Sequence, residues 1–147
     1  SPSMDIQISS NFERLLFDAY DRDSDAVRQC MDGLSQSRAF TIAPDALKSI
    51  KREFSAGKAT RNQAAAAIRD MLEQTNYLVD PHTAAGIHVA RRFEKPNAPM
   101  VTLATAHPAK FPDAVNSACD VDPAIPYWLS VLMRRDLTFE LLRPDLD

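Results

Sequence analysis

The sequence predicts a helix-rich α/β fold with a few short, mostly parallel strands. Three observations carry this. Apolar residues recur at helical spacing through most of residues 10–74. After residue 76 the pattern changes to short apolar runs, each followed by a turn and a helical stretch. The chain is globular in composition, with 147 residues, 45% of them hydrophobic and 25% charged, enough for one domain core.

The elements follow in order. Ile6 and Ile8 alternate with polar residues as a short strand or extended opening segment. Ser10 and Glu13 have capping-box spacing, so a first helix is predicted from about Asn11, with Phe12, Leu15, Leu16 and Ala19 on its apolar face. Ser24 is the predicted cap of a second helix buried through Val27, Cys30, Met31 and Leu34. Phe40 to Ile42 reads as a strand-like step. Pro44 suits the first turn of a third helix carrying Leu47, Ile50 and Phe54, which the Ser55-Ala56-Gly57 run stops. Thr60 with Gln63 is a second capping box, opening a fourth helix through Ala67, Ile68 and Met71.

Tyr77-Leu78-Val79 is a predicted strand, Asp80 to Thr83 a turn, and Ala84 to about Phe93 a buried helix. Met100 to Ala104 forms a further predicted strand that delivers Thr105-Ala106-His107-Pro108 at its end. Helices are expected near Asp113 to Cys119 and Pro126 to Met133. In a parallel arrangement, function gathers at the carboxyl ends of strands, which singles out the Asp80 to Thr83 turn and the Thr105 to His107 segment. The organisation expected is therefore an opening segment and helix (1–20), a helical block (24–76), two strand-turn units (77–111) and a helical tail (112–147).

Composition excludes several function classes. The net charge is −3, with Lys and Arg interspersed among carboxylates, which argues against a nucleic-acid partner. No apolar run approaches membrane-spanning length and no secretory leader pattern opens the chain, so a cytoplasmic protein is expected. Cys30 and Cys119 lack metal-ligand spacing and read as buried free thiols. The three glycines, Gly33, Gly57 and Gly86, are too far apart for a glycine-rich phosphate cradle. Ser1 to Asp5 reads as polypeptide already in progress.

The histidines at 82, 88 and 107 do not have the spacing of a zinc site, and His88 is expected to be a satisfied histidine within its helix. Asp80, His82 and a serine would suit a hydrolase triad, but no serine occupies a GxSxG-type elbow. Either Asp80 or Thr83 is expected to cap the helix that follows. Thr105 ends a predicted buried strand, where a hydroxyl can donate to a neutral ring nitrogen, although threonines at strand ends are commonly structural.

Four strings occur in the order found in one family: Ser1-Pro2-Ser3-Met4-Asp5-Ile6, Ser9 to Leu16 (SSNFERLL), Asp80-Pro81-His82-Thr83-Ala84, and Thr105 to Phe111 (TAHPAKF). Over roughly residues 1–111 the chain resembles the C-terminal third of the pyridoxal-phosphate-dependent threonine synthases of bacterial and fungal type. The resemblance implies a fold-type-II enzyme, a carbon-oxygen lyase of threonine biosynthesis that converts O-phospho-L-homoserine and water to L-threonine and phosphate. It implies that the Schiff-base lysine and phosphate loop lie N-terminal to this part. The chain alone would then be inactive, with no catalytic residue of its own and the missing N-terminal part as partner.

By the same resemblance, Thr105 is the hydroxyl aimed at the pyridine nitrogen, and Asp80, His82 and Thr83 form the turn beside the cofactor. Ser9, Ser10 and Asn11 fall near the active-site rim, and Lys110 is read as a structural ion pair or a contact for the substrate phosphate. The alternative reading is a non-catalytic α/β interaction module derived from the same fold. A part of this kind would expose apolar faces and strand edges, favouring association with itself or with the remaining chain.

Overall fold

The computed structural model describes residues 9–131, 134–136 and 138–141. The opening string Ser1 to Ile6, the predicted strand at Ile6 and Ile8, and Met133 at the end of the last predicted helix lie outside them. Seven helices are present among the described residues: α1 (Ser10–Ala19), α2 (Ser24–Ser37), α3 (Pro44–Glu53), α4 (Arg61–Thr75), α5 (Pro81–Ala90), α6 (Pro112–Cys119) and α7 (Tyr127–Ser130), with a 3-10 turn at Pro108–Lys110.

Helix ends show where local chemistry was readable. At α4 the capping box forms in full: the Thr60 hydroxyl accepts from the Gln63 amide and the Gln63 side chain accepts from the Thr60 amide. Pro44 and Pro81 occupy the first turns of α3 and α5, where the missing N–H costs nothing. Three predicted caps are corrected. Ser9, not Ser10, precedes α1, and its side chain makes no capping bond, so the Ser10–Glu13 box is absent. Asp23 caps α2 by accepting from the amides of Asp25 and Ala26, which puts Ser24 inside the helix. α3 ends at Glu53, before Gly57, because Phe54 is already extended.

The predicted strands at 40–42, 77–79 and 100–104 do not form among the described residues, so the parallel-sheet half of the expected fold is not met. A strand is a property of pairing, and no described segment lies alongside to complete a ladder. The one bridge present, Lys95 with Ala98, closes its own loop. Val101 and Leu103 remain 76% and 77% exposed, as expected of an apolar run with no covering layer.

Two packing groups result. α1 packs on α2 and α3, with Leu16, Cys30 and Ala46 buried. α4 packs on α5 and α6 around Ala67, Ile68, Val79, Ala84 and Ala118. Small residues dominate this second core because helices crowded with alanine approach closely and fill space with backbone. Arg69 donates to the Ala118 carbonyl at 2.8 Å and Arg91 pairs with Asp70 at 2.9 Å, fixing α4 against α6 and α5. Gly57 lies so near α5 that a Cβ there would stand 2.8 Å from Val89 Cγ1. Both cysteines are free, Cys30 buried and Cys119 half-buried. Among the described residues no helix is long and apolar enough to cross a membrane.

Ile68 is 1% exposed at the centre of the second core. Ile68→Ala should cost about 2–5 kcal/mol, whereas Thr60→Ala, which removes only a cap, should cost about 1 kcal/mol. Urea denaturation of both variants checks the ranking.

Candidate functional site

The site is built on the head of α5. Asp80 caps that helix, accepting from the amides of His82 at 2.9 Å and Thr83 at 3.2 Å. Of the two residues expected to cap the helix, Asp80 is the one that does, and α5 therefore starts at Pro81, three residues before the predicted Ala84. The helix closes at Ala90, short of the predicted Phe93, and residues 91–93 continue as turn.

The Asp80 side chain is fully buried, and each of its oxygens has two donors. Oδ2 takes the His82 amide and, at 2.6 Å, the His82 ring Nδ1. Oδ1 takes the Thr83 amide and the Thr83 hydroxyl. Burial by itself pushes this carboxyl up. The hydrogen bonds from the Thr83 hydroxyl, the His82 amide and ring, and the Thr83 amide together outweigh it and hold Asp80 below the ordinary value of 3.8. An anion at a helix N-terminus also meets the positive end of the helix dipole.

The second segment singled out by the sequence meets this turn directly. The backbone N–H of Thr105 donates to Thr83 Oγ1 at 3.0 Å, and the two hydroxyl oxygens are 3.5 Å apart. Thr83 is buried, while Thr105 is exposed. Both segments border one cavity of about 270 Å³, lined by Asp80, Thr83, Ala104, Ala106, His107 and Pro108 together with residues of 77–79 and 123–124. Asp80, His82, Thr83 and Thr105 are thus brought together although neither preceding segment is a strand.

Other candidates lie apart from this cluster. Ser9, Ser10 and Asn11 stand at the head of α1, in the first packing group; the Asn11 side chain accepts from Arg14 at 3.3 Å. Lys110 ends the 3-10 turn, exposed, and makes no ion pair among the described residues. His88 accepts from Arg92 at 2.5 Å within its own turn, the satisfied histidine expected there. No group of His, Cys, Asp and Glu among the described residues could hold a metal ion.

The Asp80–His82 half of a hydrolase triad does form. Its nucleophile does not: the His82 side chain is 6% exposed, and its Nε2 has no hydrogen-bond partner among the described residues, so no serine hydroxyl reaches the ring. Two further contacts were not anticipated from sequence. Phe111 packs edge-on against the His82 ring, with centroids 4.6 Å apart, and His107 caps the 3-10 turn by accepting from the Ala109 amide at 3.1 Å. The His107-Pro108 pair carried a signal for the second of these, since Pro suits the first position of a helical turn. Nothing local points to the Phe111 contact, which spans 29 positions.

Chemically, the cluster offers a hydroxyl donor and withholds a carboxylate. With all four acceptor directions of Asp80 occupied, the carboxylate has nothing left to offer a ligand, and the exposed Thr105 next to it carries a hydroxyl that can donate. Such a donor matches an unprotonated ring nitrogen, whereas a free carboxylate would hold that nitrogen protonated.

Comparison with known proteins gives one consistent result. A family model described as "Threonine synthase, C-terminal" matches residues 83–147. Threonine synthase of Pseudomonas aeruginosa is 39% identical over 138 residues, covering 92% of this chain and 29% of that protein. The Corynebacterium glutamicum threonine synthase is 35% identical, covering 100% of this chain and 31% of its own length. Among solved structures, the crystal structure of PLP-bound threonine synthase from Brucella melitensis superposes with a TM-score of 0.85 at 58% identity, covering 97% of this chain and 31% of that one. The yeast threonine synthase structure gives 0.77 at 29% identity, covering 90% of this chain and 31% of that one. The chain therefore spans about three tenths of the length of the relatives it matches.

A depressed carboxyl binds its proton less tightly in the folded protein than in the unfolded chain. The stabilisation from Asp80 is thus complete above pH 3.8 and is lost as pH falls through its folded value. Asp80→Asn should cost about 1–3 kcal/mol at neutral pH through buried donors left without an acceptor. The gap between wild type and variant should narrow below pH 3.8, as denaturation curves across the acid range would record.

Proposed function

Because the chain belongs to the threonine synthase family, we propose that it forms the C-terminal wall of a pyridoxal-phosphate site in an enzyme that converts O-phospho-L-homoserine and water to L-threonine and phosphate. The observation that carries this reading is the 58% identity and 0.85 TM-score with a PLP-bound threonine synthase over nearly the whole chain. The cofactor, when bound, supplies an electron sink for loss of phosphate and addition of water. The enzyme is a lyase of threonine biosynthesis, and its expected location is the cytoplasm.

The donor chemistry of the site fits that cofactor. Thr105 presents a neutral hydroxyl suited to the pyridine nitrogen, and the buried anion behind it is fully saturated by its own turn. We assign Thr105 the contact with the ring and residues 77–111 the wall around it, with Asp80, His82 and Thr83 as the turn beside the cofactor. α4 and α6 flank that wall. Lys110, exposed at the end of the 3-10 turn, is the candidate contact for the substrate phosphate, and Ser9, Ser10 and Asn11 are candidate rim residues.

The phosphate cradle and the covalent lysine are assigned to the N-terminal part of the enzyme, which is then the partner this wall requires. Gly33 lies in α2, Gly57 between α3 and α4, and Gly86 in α5, so they build no nest of converging amides together.

Two measurements test this. The full-length enzyme should release phosphate from O-phospho-L-homoserine and form L-threonine, and residues 1–147 alone should not; a full-length protein without that activity would overturn the assignment. In the full-length enzyme, Thr105→Val should keep the fold, shift the cofactor absorbance and weaken its binding by about 0.5–1.5 kcal/mol. An unchanged spectrum and affinity would remove Thr105 from the ring contact.

A further inference from the structure

We propose that Thr83 is a positioning residue that acts through Thr105: its hydroxyl, with its proton given to the Asp80 carboxylate, anchors the Thr105 amide and leaves the Thr105 hydroxyl proton free for the cofactor ring.

The direction of each hydrogen bond follows from what each atom can do. A hydroxyl has one proton and two lone pairs. Asp80 is an anion and can only accept, so the Thr83 hydroxyl must be the donor between them. Its oxygen is then left as an acceptor, and the Thr105 N–H fills one of its lone pairs at 3.0 Å. The Thr105 hydroxyl lies 3.5 Å from the same oxygen, too long for a strong bond. Its proton is therefore available to a better acceptor outside.

Burial separates the two threonines by role. Thr83 is 4% exposed, with its hydroxyl committed to Asp80 and to the Thr105 amide, whereas Thr105 is exposed beside the cavity-lining Ala104 and Ala106. Chain connectivity alone leaves the segment carrying Thr105 poorly fixed, because residues 99–105 have no helical or strand hydrogen bonds. The bond to Thr83 bridges 22 positions and ties the Thr105 backbone to the rigid head of α5. A hydroxyl held by a fixed backbone meets its acceptor without first being ordered, which is the advantage of preorganisation.

This inference rests on the assignment of Thr105 to the pyridine nitrogen, and the test separates the two. In the full-length enzyme, cofactor dissociation constants and absorbance spectra are measured by titrating pyridoxal phosphate into Thr83→Val, Thr83→Ser, Thr105→Val and the double variant Thr83→Val/Thr105→Val. Circular dichroism reports the fold.

Thr83→Val should weaken cofactor binding roughly threefold to tenfold and shift the spectrum in the same sense as Thr105→Val, and Thr83→Ser, which keeps the hydroxyl, should restore both. Because Thr83 acts through Thr105, the double variant should bind no more weakly than Thr105→Val alone. Should Thr83→Val not accumulate folded, Thr83→Ala makes the same comparisons. Additive losses, or a Thr83→Val enzyme that binds the cofactor as wild type while Thr105→Val does not, would overturn the positioning role alone. If Thr105→Val itself has no effect, the ring assignment fails and the positioning role falls with it.

Discussion

A carboxylate taken out of water must recover from the protein what it loses in hydration, and Asp80 recovers it within four residues of itself. Two amides of its own helix, one imidazole and one hydroxyl close around a side chain with no solvent exposure. That requirement fixes the start of α5, the rotamer of His82 and the direction of the Thr83 hydroxyl. It also fixes Thr105, since the only oxygen its amide finds is one whose proton is already committed. An uncharged residue at position 80 would leave each of these choices open.

What could be read from the sequence is largely what is decided locally. The Thr60–Gln63 box, proline at the heads of α3 and α5, and the Asp80 cap each involve residues within a few positions, and all are present. The cap of α2 falls one residue before the expected Ser24 because Asp23 and Ser24 offer nearly equal oxygens side by side, whereas α1 begins with no side-chain cap. Strands were misjudged for a different reason. Apolar runs at 77–79 and 100–104 carry the right residues, but a ladder needs a neighbour that the run itself does not specify. The site survived that error because the turns after those runs, and not the runs, hold its side chains. Thr83 and Thr105 were each legible as candidates, while the bond between them, across 22 positions, had no local sign.

The chain spans about three tenths of its relatives' length, and part of its apolar surface is open. A groove between residues 53–59, α5 and residues 95–103 is open and lined by Gly86, Val89, Met100 and Leu103. Apolar surface of this kind is costly to leave in water. The core of small residues around Ala67, Ile68 and Ala84 is, by contrast, well packed, and it supports the α5 head that carries Asp80 and Thr83.

Scarcity of glycine has an effect away from any ligand. Among the described residues five non-glycine residues, Asp21, Arg22, Arg38, Asn76 and Asp120, adopt left-handed backbone angles, and three of them terminate α2, α4 and α6. Asn and Asp tolerate that region better than most side chains, whereas Arg38 bears the full Cβ penalty of about 1 kcal/mol. Helix termination here has thus been achieved with residues that are second choices for the geometry. The fold consequently operates below the stability its own backbone would permit, and heat tolerance could be raised at these exposed corners without disturbing the cluster around Asp80.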